Sequence, residues 1–274
     1  MSDDKKIALL KIIIAVLCCG AVVSLVGVAL TLLQYSKGKK EYSDLQDYVE
    51  VAEDNTITEE IDEPVEEEVV ATPRLINVDF DMDYDALKAI NSDLVGWIYY
   101  EGVDLSYPVV MDKGNDYYEN YTFENEKNNS GAIFMDYLCK IDFNSFNTII
   151  YGHNMRNGTM FGSLNNIIDN PDIVANYPYF YIFTKDEAMM YKIVSGYYTT
   201  NSSNTYNITL DYTVYDMRDY IDYMNKVSTY RDEEFFDKEV TEDMKICTLS
   251  TCHGLHSNVR TVIHGELIAR EPRL

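Results

Sequence analysis

The apolar and polar positions divide this chain sharply. Residues 12–33 form an uncharged apolar run of 22 residues, broken only by Ser24 and Thr31. At about 1.5 Å per residue, a helix of that length crosses a hydrocarbon core of about 30 Å. A cleaved signal peptide has a shorter apolar region, about 7–15 residues, with a small-residue cleavage site. The pattern therefore predicts one uncleaved transmembrane helix. Polarity then inverts: residues 41–70 hold thirteen Asp and Glu and no Lys or Arg. Such a stretch repels itself and buries little, which predicts an extended spacer. Leu45, Tyr48, Val49 and Val51 leave a juxtamembrane helix as the alternative.

After Pro73 the pattern becomes that of a folded domain of roughly 200 residues, ample for one core. Asp81, Asp83 and Asp85 lead into a short helix over 86–90, with acidic residues at its N-terminal end. Short runs rich in Val, Ile, Tyr and Phe follow at 97–100, 107–111, 132–135, 148–151, 179–183 and 189–198, and again at 245–249 and 260–268. Asn, Asp, Ser and Gly separate them, the punctuation of strands. Residues 179–183 and 189–198 flank Thr184-Lys185-Asp186-Glu187 and predict a hairpin. Helices are expected at 163–168 and 215–227. In the second, Met217, Tyr220, Ile221 and Met224 stand at helical spacing and mark a core face. The organisation is thus a tail (1–11), an anchor (12–33), an acidic spacer (34–74) and a mostly β domain (75–274).

Charge removes some functions. A net charge of −24 argues against nucleic acid, which needs clustered Lys and Arg, and against docking on anionic lipid. Charge does not orient the anchor: Lys5, Lys6 and Lys11 precede it, and Lys37, Lys39 and Lys40 follow. The five cysteines form no disulfide framework. Cys18 and Cys19 lie within the apolar run, and Cys139, Cys247 and Cys252 leave an odd number for the domain.

Chemistry concentrates in Thr248-Leu249-Ser250-Thr251-Cys252, with Arg260 eight residues on and Gly152-His153-Asn154 about a hundred residues earlier. A thiol, an imidazole and a guanidinium suffice for acyl transfer. Cys252 attacks a carbonyl, His153 moves the proton, and Arg260 holds the developing oxyanion. Strands at 245–249 and 260–268, if adjacent and antiparallel, carry nucleophile and cation side by side. Ser250 shares the face of Cys252, while Cys247, five positions earlier, points to the opposite face and belongs to the core. With ordinary pKa values of about 8.5 and 6.5, thiol and imidazole predict a bell-shaped pH dependence. Cys247, Cys252, His253 and His256 also form a candidate zinc set, but strong zinc patterns use closer pairs on tight turns. His253 follows the sulfur directly and is expected to face away from it. His264 is expected at the surface or in the groove wall. The motifs that mark papain-like and caspase-like proteases are absent.

These residues resemble the sortases, the cysteine transpeptidases that anchor proteins to the cell wall of Gram-positive bacteria. Their Thr-Leu-X-Thr-Cys signature stands here as Thr248, Leu249, Thr251 and Cys252, with Arg260 on the next strand and His153 earlier. Serine at 250 resembles class B. So do Ile149-Ile150-Tyr151-Gly152-His153-Asn154-Met155, Gly131-Ala132-Ile133-Phe134-Met135-Asp136, Asp93-Leu94-Val95-Gly96-Trp97-Ile98 and Tyr107-Pro108-Val109-Val110.

The resemblance implies a mostly β fold, an eight-stranded barrel with a few peripheral α-helices, preceded by the transmembrane helix. It implies a cytoplasmic N-terminus, a catalytic domain outside the cell membrane facing the cell wall, and catalytic His153, Cys252 and Arg260. Ser250, Thr251 and Asn154 are expected to bind or orient substrate. No cofactor or metal is implied. The implied partners are secreted proteins bearing a C-terminal sorting signal and an amine of peptidoglycan or its lipid-linked precursor. A thiol peptidase releasing its product to water, and a catalytically silent tethered binding module, are the competing readings.

Overall fold

The computed structural model describes residues 3–52, 75–208, 211–252 and 258–273. One helix, α1 (Asp3–Asp44), contains the whole apolar run. It is long and apolar enough to cross a membrane. It does not stop where the acidic stretch begins. It continues to Asp44, passes into a single 3₁₀ turn (Leu45–Tyr48), and enters strand β1 (Val49–Ala52). That strand pairs antiparallel with β2 (Asp79–Met82).

Residues 41–52 therefore form no extended spacer, and the physical reason is spacing. Tyr42 and Leu45, three positions apart, are buried at 6% and 1% exposure, while Asp44, Asp47 and Glu50 face outward. Average composition hid an amphipathic edge. Residues 53–74 of the expected spacer lie outside the described residues.

Helix α2 (Tyr84–Ile90) begins as the acidic lead-in suggested: Asp83 is its N-cap and accepts from the Ala86 amide. Strands β3 (Leu94–Tyr100), β4 (Leu105–Val110), β5 (Ile133–Met135) and β6 (Asn147–His153) follow. Next come a 3₁₀ turn (Phe161–Leu164), α3 (Asn165–Asp169), α4 (Asp172–Asn176), β7 (Tyr179–Phe183) and β8 (Glu187–Thr200). The chain ends through α5 (Val214–Val227), β9 (Tyr230–Arg231), α6 (Glu233–Phe236), β10 (Ile246–Cys252) and β11 (Val259–Pro272).

The strand order is β11-β10-β6-β5-β4-β3-β7-β8-β9, and β11 pairs back onto β8. Eight strands thus close into a barrel, with β9 a short addition on β8. Closure leaves the barrel no long free edge. This is the expected fold class. The interior is filled by side chains such as Ile98, Ile133, Phe161 and Phe180, all essentially inaccessible.

Helix α5 lays Met217, Tyr220, Ile221 and Met224 on Phe146, Val194 and Ile246, the face its spacing predicted. It thereby covers part of the outer face of β10 and β11, and this corrects the expectation for His264. That residue is fully buried. Its Nδ1 meets the Thr248 hydroxyl at 2.8 Å and its Nε2 the Tyr197 hydroxyl at 3.0 Å. Burial pushes its pKa down to about 3, so the ring is neutral and structural. A strand position that alternation assigns to the outer face is not exposed when a helix is packed on it.

Candidate active site

Two ladders build the site. Strands β6 and β10 run parallel, with Ser250 opposite Tyr151, Thr251 opposite Gly152, and Cys252 opposite His153. Strands β10 and β11 run antiparallel, with Leu249 opposite Ile263 and Ser250 opposite Val262. Arg260, two positions before Val262, lies at the same end of β11. Positions 153, 252 and 260 therefore converge at one end of three adjacent strands. Alternation gives 151 and 153 on β6 the same face as 250 and 252 on β10. Farther back, α5 covers that face. Toward the strand ends it borders a groove lined by Tyr151 and Arg260.

Each neighbour of the site is fixed by a specific contact. Gly152 permits the ladder: a Cβ there would lie 2.7 Å from the Phe161 ring. His153 is half-buried, and its Nε2 lies 2.7 Å from the Glu119 carbonyl oxygen. A carbonyl only accepts, so Nε2 carries the hydrogen when this bond is made. The lone pair of the neutral ring is then on Nδ1. Arg260 Nη1 donates to the Thr251 carbonyl at 3.3 Å, which ties the guanidinium to the residue before the cysteine.

A groove of about 210 Å³ adjoins these positions, lined by Asn115, Glu119, Phe134, Tyr151, Asn201, Tyr206 and Arg260. Phe134 and Tyr151 have ring centroids 5.3 Å apart. Asp136 accepts from the Tyr151 hydroxyl and from Asn115 Nδ2, both at 2.9 Å. An aromatic floor with an amide, a carboxylate and a guanidinium at the rim suits an extended peptide carrying polar side chains.

The other expected residues have different places. Ser250 is 1% exposed, and its hydroxyl lies 2.7 Å from the Tyr206 hydroxyl. It supports a groove wall and does not line the groove. Thr251 is equally buried; its Oγ1 accepts from the Thr261 amide at 3.0 Å. Asn154 accepts from Asn165 Nδ2 at 3.2 Å and lines a separate open cleft of about 740 Å³ beyond His153. His253 and His256 lie outside the described residues.

Burial pushes the Cys139 thiol up to about 12 and that of Cys247 well above its ordinary range, which makes both poor nucleophiles. Sequence reasoning missed the Glu119 carbonyl, which acts through its backbone and leaves no side-chain signal. It also missed Tyr206, which reaches the site from the distant stretch after β8. Tyr151 was within reach, since it shares the strand face of His153.

A family model described as Sortase domain matches residues 98–268. Sortase B of Listeria monocytogenes is 33% identical over 188 residues, covering 67% of this chain and 73% of the relative. Sortase B of Staphylococcus aureus is 30% identical over 187 residues, covering 68% and 74%. Among solved structures, sortase B from Bacillus anthracis superposes with a TM-score of 0.65 at 27% identity, covering 86% of this chain and 98% of that one. A Staphylococcus aureus sortase B–substrate complex gives 0.61 at 31% identity, covering 68% and 84%. The chain belongs to the sortase family of cysteine transpeptidases, on its class B branch.

Proposed function

We propose that the protein is a membrane-anchored transpeptidase that cleaves a C-terminal sorting signal through a Cys252 thioester and passes the acyl group to a peptidoglycan amine. The observation that carries this reading is the register of Cys252 with His153 on β10 and β6, with Arg260 at the same end of β11. The Cys252 thiol gives its proton to His153 Nδ1, and the thiolate adds to the scissile carbonyl carbon. Arg260 offers its guanidinium to the oxyanion, which is a stronger stabiliser in a site screened from water. The C–N bond then breaks as His153 returns the proton to the leaving amine, and a thioester remains. An incoming amine adds to the thioester and gives a proton to His153. Cleavage of the C–S bond releases the new amide, and that proton restores the thiol. Ser250 supports Tyr206 at the groove wall, Thr251 braces the β10–β11 ladder, and Asn154 braces the loop after His153.

The apolar span of α1 anchors the enzyme, with the N-terminus cytoplasmic and the domain facing the cell wall. The substrates are secreted proteins bearing the signal, and the acceptor is an amine of peptidoglycan or its lipid-linked precursor. The test is a panel of quenched peptides bearing candidate sorting signals, incubated with the full chain, with and without an added amine. Mass spectrometry is expected to find amide product when amine is present and none with Cys252→Ala. Free acid alone, at a rate indifferent to amine, would reassign the enzyme as a peptidase. No turnover beside normal peptide binding would make it a binding module.

A further inference from the structure

The acidic stretch after the apolar run contains a buried tyrosine that the transpeptidase reaction leaves unexplained. Tyr42, in the last turn of α1, is 6% exposed. Its hydroxyl donates to the Gly131 carbonyl at 2.6 Å and accepts from the Phe123 amide at 3.3 Å. Burial holds its pKa well above the ordinary tyrosine range, so it remains a protonated donor. Its ring meets that of Tyr107 edge-on, with centroids 5.4 Å apart. The Tyr107 hydroxyl in turn accepts from the Met160 amide at 3.0 Å.

Both routes end at His153. Gly131 has φ +55, in the region glycine favours. A Cβ on it would lie 2.9 Å from Cδ2 of His153 and 3.0 Å from the Glu119 carbonyl oxygen. That is the oxygen on which Nε2 rests. On the other flank, Met160 pairs with Asn154, the residue after His153. The helix grips this region over several turns. A Cβ on Gly38 would lie 2.8 Å from Ser130 Oγ, and Asn128 Nδ2 donates to the Gln34 carbonyl at 2.9 Å.

We propose that Tyr42 is a positioning residue for His153: the end of the anchor helix clamps Gly131 and so fixes the shelf that holds the imidazole with Nε2 protonated and Nδ1 open. The proposal rests on the reading of His153 as the proton carrier. The hydroxyl satisfies two buried backbone groups at once, an acceptor on Gly131 and a donor on Phe123. Phenylalanine would keep the ring packing and leave both unpaired. The docked end of α1 is therefore a working part of the catalytic domain as well as a tether.

The test uses the full chain in detergent micelles with ¹⁵N-labelled histidine; the His153 signals are assigned by their loss in His153→Gln. The wild type is expected to hold the Nε2–H tautomer. Tyr42→Phe is expected to populate Nδ1–H and to lower kcat about tenfold with KM kept, measured well below both melting temperatures. Gln46→Ala, in the 3₁₀ turn that follows α1, removes hydrogen bonds to the Tyr42 and Ser106 carbonyls without touching Gly131 or the Tyr42 hydroxyl; it is expected to keep both tautomer and kcat. An unchanged tautomer or an unchanged kcat in Tyr42→Phe overturns the proposal, as does an equal loss in Gln46→Ala. If the wild type turns over no sorting peptide, the transpeptidase reading fails on its own, and the tautomer comparison still decides the clamp.

Discussion

Cysteine chemistry in this domain is decided by surroundings. Cys139 and Cys247 are held as thiols by burial, whereas Cys252 is the last residue of β10. A charged thiol reagent at pH 8 is therefore expected to label Cys252 and spare the other two, read by peptide mass mapping. Cys252→Ala is expected to abolish turnover with the melting temperature kept. Among the described residues, Arg260 reaches the Thr251 carbonyl with one nitrogen, and the proposed mechanism gives the rest of its planar fork to an oxyanion. Arg260→Lys should lose at least about tenfold in kcat/KM, because a point charge does not replace that fork; full activity in the lysine variant would remove the role. His264 sets an acid limit on stability. The folded state refuses its proton down to about pH 3, while the unfolded chain takes one near pH 6.5. Between those values protons favour unfolding, so stability falls as pH drops from about 6.5 towards 3. The stability advantage of wild type over His264→Gln, from denaturant titrations, should shrink between pH 7 and 4. A constant difference would mean that the ring is not buried neutral.

Among the elements, the β6–β10 pair matters most, because parallel strands cannot be joined by a tight turn and their partnership has no local signature. The strands themselves were legible: short β-rich runs matched β3 to β8 closely, and the helical spacing of Met217, Tyr220, Ile221 and Met224 marked α5 and its buried face. Their neighbours were not legible, except at the β7–β8 hairpin and in the antiparallel β10–β11 pair. The close seam at Gly152 gives a test. Gly152→Ala places a Cβ 2.7 Å from the Phe161 ring and should cost about 1–3 kcal/mol of stability by overpacking. Activity should fall with it, since His153 is the next residue. Wild-type denaturation and turnover together would show that the ladder tolerates the intrusion.

For the molecule as a whole, barrel closure and the course of α1 define how the site is presented. The last residue of the apolar run, Leu33, lies nine positions before Tyr42 in a continuous helix. At about 1.5 Å per residue this is about 14 Å, so the point where α1 docks on the domain lies close to any bilayer that the run crosses. The full chain is expected to stay with membranes through an alkaline carbonate wash and to leave them only in detergent. Release by carbonate alone would mean that residues 12–33 do not span.

Local pattern was enough for the apolar run, most strands and the face of α5, because each is written in spacing or residue type over a few positions. Composition misjudged residues 41–52, since a mean charge conceals one buried edge. Long-range packing alone decided that Cys252 pairs with His153, that His264 lies under a helix, and that Tyr42 bonds Gly131 beside His153. Those facts depend on which distant segments meet, and a linear chain carries no local trace of that.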